Sequence, residues 1–285
     1  MFSDCSSLTI LELKFDTSNV KDMNNMFSFC SSLTELILSK FNTNNVTNIG
    51  YMFSKCSSLT NLYLSNFNTE NVTNMNDLFY DCSSLSNLDI SSFTFTNVND
   101  LSYMFRGCSS LTSLKLKNFN TVKVNELSGM FSNCTKLISL DLSEFKTANV
   151  TNMSYMFDCC YYLKNLDLSN FETNEVTNMS KMFNECHSLE SLNVKSFTTN
   201  KVTNMNGMFY YCESLKSLNI SNFSTDNVSN MSYVFSNCQN LSSLYLDNFK
   251  TNNVIDMSGM FYYCSSLINS SKAKFIFEES SAEVS

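Results

Sequence analysis

The spacing of one phenylalanine constrains this fold more than any other feature of the sequence. The phenylalanine that usually closes a Met-Phe pair recurs every 26 residues, after one shorter interval of 25. Its positions are Phe2, Phe27, Phe53, Phe79, Phe105, Phe131, Phe157, Phe183, Phe209, Phe235 and Phe261. A fixed period of roughly 20–50 residues is typical of repeat architectures, in which each unit covers the apolar face of its neighbour. The 285 residues are therefore expected to form one elongated domain, although that length alone would suggest two.

Two apolar spacings share each unit. The stripe from Val72 to Cys82 advances in steps of three and four, which predicts one face of a helix of about two turns. The step then changes to two at Leu88 and Ile90, which predicts a strand of about four residues. Neither element can bury its apolar face alone, so the two elements need neighbouring copies to cover them.

A polar residue stands directly before each predicted helix. This Asn/Asp row consists of Asp22, Asn48, Asn74, Asp100, Glu126, Asn152, Asn178, Asn204, Asn230 and Asp256. Asn and Asp side chains accept hydrogen bonds from the first free N–H groups of a helix, whereas Glu does so poorly. The row is therefore predicted to cap the helices, with Glu126 as the weakest cap.

The strand part of each unit, L-x-x-L-x-L, is the strand signature of leucine-rich repeats, and the period falls in their range. We expect an α/β repeat, a leucine-rich repeat solenoid of about ten 26-residue units with a parallel sheet of short strands. The solenoid is predicted to span 1–270, with an incomplete first unit at 1–14. Residues 271–277 could add a capping strand, and 278–285 are predicted to be a disordered tail.

Charge and hydropathy exclude several classes of function. The formal net charge is −8 and the basic residues are scattered, which argues against nucleic acid, because phosphate contacts need clustered Lys and Arg. No apolar run approaches membrane-spanning length, so no membrane insertion is expected. The chain shows no visible signal peptide and opens in the middle of a unit, which favours part of a longer chain over a protein that stays inside the cell. We expect a monomer or part of a longer chain.

Eleven of the twelve cysteines occupy one slot, three residues after the repeated phenylalanine. We predict a ladder of buried free thiols, because rungs with parallel Cβ vectors suit disulfides poorly and no C-x-x-C pair suggests a metal. Cys159 lies outside the slot and is expected to be exposed, with cross-linking or modification left open. His187, the only histidine, is expected to be exposed without a partner. No catalytic, metal or cofactor residue is predicted, and an enzyme is the weakest class.

Two exposed rows are candidates for binding. The first, the strand row, lies between the last two leucines of each unit and points away from the core; it reads Glu12, Ile37, Tyr63, Asp89, Lys115, Asp141, Asp167, Asn193, Asn219 and Tyr245. The residue type varies along this row, whereas the core positions are uniform. A binding face would vary in this way, but so would any exposed row. The second row, predicted on the helix, is Tyr51, Tyr103, Tyr155 and Tyr233, with Tyr80, Tyr210, Tyr211, Tyr262 and Tyr263 nearby. Exposed tyrosines favour interfaces, but composition explains them equally well.

The units Val46–Phe67, Val150–Phe171 and Val228–Phe249 closely follow T-N-M-x-x-M-F-x-x-C-x-x-L-x-x-L-x-L. In this the chain resembles the BspA-like leucine-rich repeat proteins, above all the branch called 26-residue repeat surface proteins. The resemblance implies a solenoid on the surface of bacteria or some protists that adheres to host proteins or other cells, with the strand row on its concave face. It supplies no catalytic residues. The chain departs from the general repeat in having phenylalanine, instead of Asn or Cys, after the strand.

Three hypotheses for function arise from this resemblance. The first is a non-enzymatic surface or secreted protein that binds a protein or glycan partner through the strand row. The second is an intracellular scaffold of the same shape, since no leader is visible and a cytoplasmic location stays open. The third is an accessory module that positions an enzyme encoded elsewhere.

Overall fold

The fold is that of a computed structural model, which describes residues 1–116, 119–246 and 248–268. The predicted capping strand at 271–277 and tail at 278–285 lie outside these residues. The described strands are β1 Ile10–Glu12, β2 Glu35–Ile37, β3 Asn61–Tyr63, β4 Asn87–Asp89, β5 Ser113–Leu114, β6 Ser139–Leu140, β7 Asn165–Asp167, β8 Ser191–Asn193, β9 Ser217–Asn219 and β10 Ser243–Tyr245. One short helix, α1 Ser265–Ile268, comes after them.

The chain forms a parallel solenoid in which equivalent residues of successive units lie side by side. β3 pairs with β4 so that Leu62 lies opposite Leu88, one unit further on. The other described pairs are β1–β2, β5–β6, β7–β8 and β9–β10. The predicted leucine-rich repeat solenoid with short parallel strands is thus confirmed, but the strands pair in twos and do not form one continuous sheet.

The continuous ladder lies elsewhere, at the Asn/Asp row. Nine parallel bridges join the ten residues of this row, from Asp22 to Asp256, without interruption. On one side of Asn74, Thr73 donates its N–H to the Thr47 carbonyl of the preceding unit at 2.9 Å. On the other side, Met75 donates to the Asp100 carbonyl of the following unit at 3.2 Å. This row, and not the leucine strand, links every unit to both neighbours.

The prediction of a helix after the Asn/Asp row is wrong, because this segment is a run of tight turns. Asn152 Oδ1 accepts the Ser154 N–H at 3.0 Å, as a cap would, but no helix begins there. Met156 N–H donates to Met153 O, three residues back, whereas Phe157 N–H donates to Met182 O in the next unit. Turns that close over three residues give the same apolar spacing as a helix. The intervening N–H groups bond between units, so the ladder of hydrogen bonds between residues four apart that defines a helix never forms.

Two residues in each unit adopt positive φ, which reverses the chain between successive turns. The described residues include seventeen non-glycine and four glycine examples; Tyr155 at 59° and Cys159 at 57° represent the two positions. L-residues tolerate this conformation poorly, at a cost of roughly 1–2 kcal/mol each, so the inter-unit hydrogen bonds must hold it in place. At Gly129 the glycine serves close approach as well, since a Cβ would lie 2.3 Å from the Tyr103 ring.

Rows of stacked side chains fill the interior. The repeated phenylalanines stack along the solenoid; the rings of Phe53 and Phe79 lie 5.7 Å apart and within 5° of parallel. A second row runs beside the strands, with Phe41 and Phe67 stacked at 6.4 Å. Offset parallel rings are a favourable aromatic geometry, and leucine, methionine and valine rows complete the core.

A row of buried threonines connects the units beneath the second phenylalanine row. The Thr173 hydroxyl donates to Thr198 O at 2.7 Å and accepts the Thr198 N–H at 2.8 Å. The equivalent hydroxyls of Thr17, Thr43, Thr69, Thr121, Thr147, Thr199 and Thr225 likewise donate to a carbonyl of the next unit. Phe95 takes this position in one unit and stacks on Phe119 with ring centroids 3.7 Å apart. An aromatic contact thus replaces the hydroxyl bonds at that joint.

Replacing Thr173 with valine should destabilise the fold by about 2 kcal/mol, because a buried N–H and a buried C=O lose their partner while the shape is kept. Urea unfolding followed by circular dichroism measures the loss. Thr177→Val is the matched control: Thr177 is exposed, its hydroxyl contact to Thr151 O is 3.2 Å, and we expect a change within about 0.5 kcal/mol. Equal effects of the two substitutions would contradict a structural role for the buried row.

Candidate functional site

The strand row lies on one face of the solenoid. The leucines on either side of each member point inward, which leaves Tyr63 77% and Tyr245 51% exposed; Ile37 and Asn193 are half-buried. Strand pairing sets Tyr63 beside Asp89, and Asp167 beside Asn193. The structure thus places the predicted row on the surface in a single register. Its use by a partner stays a prediction.

Three aspartates of the strand row are held in defined orientations by their own turns. Asp141 Oδ1 accepts the backbone N–H of Ser143 at 3.0 Å. Asp89 and Asp167 accept the equivalent N–H groups at 2.9 and 3.0 Å. Hydrogen bonding from the serine two residues on lowers the pKa of all three carboxyls, first from the serine side chain at Asp89 and Asp141 and first from the backbone N–H at Asp167. The middle of the row therefore presents fixed carboxylates, with Lys115 among them, at intervals of one unit.

The early end of the strand row has a different character. A groove of about 500 Å³ lies where β2 and β3 meet, and Ile37, Leu36 and Tyr63 are among the residues that line it. Among the described residues no ladder pairing joins β2 to β3, and the same holds at β4–β5, β6–β7 and β8–β9. The row thus combines an apolar, aromatic end with a charged centre.

The tyrosine row lies on a second surface, the turn face. This face comprises the outward residues two before, and one and two after, each repeated phenylalanine. Sequence reasoning placed Tyr51 and its equivalents on a helix; in the structure they sit at positive-φ turn positions, and Tyr233 packs over Gly259, where a Cβ would lie 2.5 Å from its ring. Tyr210 contacts Tyr211 edge-on at 4.5 Å and Tyr233 at 6.0 Å. The turn face is therefore a packed aromatic surface.

An alternation of rings and cations crosses four units of the turn face. Lys55 Nζ lies 4.6 Å from the centre of the Phe29 ring and 5.8 Å from that of Tyr80. The Arg106 guanidinium lies 5.5 Å from the Tyr80 ring and 5.4 Å from the Tyr103 ring. We call these five residues the aromatic–cation ladder. Attraction between a cation and a ring face keeps each cation close to the surface.

Asp77 lies beside this ladder and is only 7% exposed. Burial raises the pKa of its carboxyl to about 6, and the hydrogen bond from the Tyr51 hydroxyl only partly offsets that effect. Asn76 Nδ2 also donates to Asp77 Oδ2 at 3.2 Å. The turn face therefore holds a carboxyl that titrates near neutral pH.

The cysteine ladder is buried and free, as predicted, except that its first rung, Cys5, is exposed. Each of the ten buried thiols also donates to a phenylalanine carbonyl of the preceding unit, at 2.9–3.2 Å; Cys160 bonds Phe131 O in this way. The thiols therefore do more than fill space. Burial raises the pKa of Cys56 and Cys134 to about 12, so these thiols stay protonated and unreactive.

Cys159 and His187 differ from expectation. Cys159 is half-buried rather than exposed, and burial with the nearby Asp158 and Glu185 carboxylates raises its pKa to about 12. His187 has neighbours after all: its Nε2 lies 4.0 Å from Glu185 Oε2 and its Nδ1 lies 3.7 Å from Glu213 Oε1. Glu213 occupies the same slot as His187 one unit later, so aligning the units would have revealed the contact.

The side chains were predicted to hold no metal and the chain to cross no membrane. Within the residues that the structure describes, no group of His, Cys, Asp and Glu has the arrangement of a metal site. No helix in the described ranges is long and apolar enough to cross a bilayer.

Thiol labelling should distinguish the exposed cysteine from the ladder. In the native protein, a thiol reagent at pH 8 should modify Cys5 rapidly and the ten buried cysteines only as the chain unfolds, because their thiols are protonated and covered. Mass spectrometry of the labelled peptides measures this, with Cys5→Ser as the control that removes the fast phase. Labelling of several ladder cysteines at the rate of Cys5 would contradict the burial described above.

Replacing Asp77 with asparagine should stabilise the protein at pH 7.5. The pKa of the folded carboxyl lies above its ordinary value of 3.8, so ionised Asp77 costs stability above about pH 6, and that cost vanishes as the pH falls below the ordinary value. We expect a gain on the order of 1–2 kcal/mol at pH 7.5 that shrinks towards pH 4, measured by urea unfolding.

Asp141→Asn is the matched control, because the pKa of Asp141 is lowered and its removal should give no gain at pH 7.5. An equal gain from Asp77→Asn at both pH values would show that the positive φ of residue 77, 52°, and not its ionisation, is responsible.

Comparison with solved structures gives bacterial leucine-rich repeat proteins, as the sequence predicted. A leucine-rich cell surface protein from Faecalibacterium prausnitzii is 19% identical over 93% of this chain and 73% of its own, with a TM-score of 0.48. A leucine-rich repeat protein from Bacteroides ovatus is 17% identical over 98% and 86%, with a TM-score of 0.41. One from Eubacterium ventriosum is 14% identical over 90% and 88%, with a TM-score of 0.38. Likeness at this level transfers no residue role or activity to this chain.

Comparison of the sequence with protein-family models assigns the chain to a family, which the solved structures do not. No curated protein matches the chain. The family model described as Mycoplasma protein of unknown function, DUF285, matches residues 1–114, 99–193 and 190–282. Because these matches together cover nearly the whole chain, the protein belongs to the DUF285 family.

Proposed function

We propose that this chain is a non-enzymatic interaction protein that binds a protein or glycan partner through the strand row. The observation that carries the proposal is the contrast between rows: the buried positions repeat Leu, Phe and Cys, whereas the strand row changes at almost every unit. A solenoid of constant core can present a different side chain at each step, which suits recognition of an extended partner.

The chemistry of the strand row supports a contact surface and not a reaction centre. Its two tyrosines, Tyr63 near the early end and Tyr245 at the far end, are exposed and offer a side chain that is enriched at binding hot spots. Its aspartates are ionised and point into solvent, where they steer and orient a partner. The only histidine, His187, lies between Glu185 and Glu213 and is not a member of this row.

A location at the cell surface or outside the cell is part of the proposal, by resemblance to the repeat family. Protease shaving of intact source cells, followed by antibody detection of the chain, tests it. Loss of the chain while cytoplasmic markers survive supports a surface location. Full protection would favour the intracellular scaffold, and a catalytic domain found in the same reading frame would favour the accessory module.

The strand row itself is tested by binding of the labelled chain to cultured epithelial cells. We expect Tyr63→Ala/Asp89→Ala/Asp167→Ala to reduce binding at least tenfold, because it removes the aromatic anchor and two fixed carboxylates without touching the core. Treating the cells first with trypsin or with a glycosidase separates a protein partner from a glycan.

The matched control is Tyr162→Ala/Glu70→Ala/Glu172→Ala, which removes the same chemistry from exposed positions outside the strand row. It should bind as the unchanged protein does. An equal loss in the control, or full binding by the strand-row variant, would overturn the proposal.

A further inference from the structure

We propose that the aromatic–cation ladder of the turn face is a second binding site, and that its ligand is an uncharged glycan. This site is separate from the strand row and does not depend on it. The proposal rests on four features of the ladder: two contiguous grooves, cations without carboxylate partners, acceptors beside them, and aromatic rings between them.

The site is a pair of open grooves that share a wall. One, of about 580 Å³, is lined by Asp4, Phe29, Lys55 and Asp81 among others. The second, of about 560 Å³, is lined by Phe29, Lys55, Tyr80, Asp77 and Arg106 among others. Because Phe29 and Lys55 line both, the two grooves adjoin, and their lining residues come from several successive units. Their length and openness suit a chain of linked rings better than one small molecule.

The cations of the ladder are free to donate. Within the part of the chain that the structure describes, neither Lys55 nor Arg106 forms an ion pair with a carboxylate, although Lys201 and Lys250 do. Aromatic rings hold both cations in position from two sides, but a ring face does not satisfy their N–H groups. The grooves therefore present oriented hydrogen-bond donors.

Acceptors alternate with these donors. The Asp77 carboxyl and the Asn76 amide line the groove beside Arg106, and Asn76 Oδ1 has no hydrogen-bond partner among the described residues. Asp81 lines the groove beside Lys55 and lies against Gly107, where a Cβ would come within 2.0 Å of its Oδ1. A side chain at 107 would have to displace that carboxylate from its present position. Each cation thus shares its groove with at least one carboxyl.

This mixture selects the ligand by charge. An anionic chain would be repelled by Asp77 and Asp81, and a cationic chain by Lys55 and Arg106. An apolar ligand would bury these groups without partners, at a high desolvation cost. An uncharged sugar avoids both problems, because each hydroxyl donates to a carboxylate and accepts from a cation.

Neighbouring hydroxyls favour a sugar over a peptide as well. Two adjacent hydroxyls can donate together to one carboxylate, or accept together from one guanidinium, on the same side of the ring. A peptide backbone offers only one N–H and one C=O per residue. The ring of Phe29, which is 43% exposed, gives the apolar C–H face of a sugar a surface to pack against, while Tyr80 holds the two cations beside it.

The test is calorimetric titration of the full chain with uncharged oligosaccharides ending in galactose, N-acetylglucosamine, mannose or glucose, and with heparin and a sialylated glycan for comparison. We expect saturable binding of at least one uncharged oligosaccharide and weaker binding of both acidic glycans. Arg106→Ala and Asp81→Asn should each weaken it at least tenfold, whereas Arg106→Lys should keep part of it.

Two controls separate this site from its surroundings. Lys201→Ala removes a distant exposed cation and should leave glycan binding unchanged, as should the triple variant of the strand row. A melting temperature within a few degrees of the unchanged protein shows that each variant is folded. The proposal is overturned if no uncharged oligosaccharide on the panel binds, if heparin binds more tightly, if a peptide library but no glycan is retained, or if Lys201→Ala has the same effect as Arg106→Ala.

Discussion

Hydrogen bonding between units at the Asn/Asp row is the constraint on which the rest of this structure depends. Each unit donates backward on one side of the row, as Thr73 does to Thr47, and forward on the other, as Met75 does to Asp100. Because these bonds join neighbours and do not close within a unit, one unit alone holds few of them, and stability comes from the stack. The positive φ of residues such as Tyr155 is tolerated because the neighbouring units fix both ends of each turn.

The sequence predicted the composition of the interior well and the path of the backbone less well. The rows containing Phe157, Cys160 and Leu163 are buried as expected. The spacing of buried side chains along the sequence depends on how often the chain returns to the core, and the sequence shows that spacing directly. The prediction of a helix is wrong for the same reason, because turns that close over three residues bring apolar side chains back to the core at helical spacing. A tyrosine or a cysteine in the sequence also gives no sign that its φ will be positive. The capping role of Asn152 was right in its chemistry, since its side chain accepts the N–H two residues on, although the segment it caps is a turn.

For the candidate sites, too, one part could be predicted from the sequence and another part could not. The outward direction of the strand row could be predicted from alternation in the sequence, and the exposure of Tyr63 and Tyr245 agrees with it. The aromatic–cation ladder was not predicted. Tyr80 and Arg106 hold the same slot in adjacent units, so aligning the units would have shown that contact, but Lys55 comes from the next slot and only the three-dimensional stack brings it to Tyr80. A repeat of nearly constant core thus carries two dissimilar surfaces: the strand row, which varies from unit to unit and has aspartates at its centre, and the turn face, which is aromatic with cations held between rings.

Hydrogen exchange at residue resolution tests the central claim, that the Asn/Asp row and not the leucine strand holds the units together. We expect the amides that flank the row, such as those of Thr73 and Met75, to exchange most slowly in every unit and to open together. Strand amides such as those of Asn61 to Tyr63, where pairing is interrupted between β2 and β3, should exchange sooner. Slow exchange of the strand amides with rapid exchange along the Asn/Asp row would contradict it.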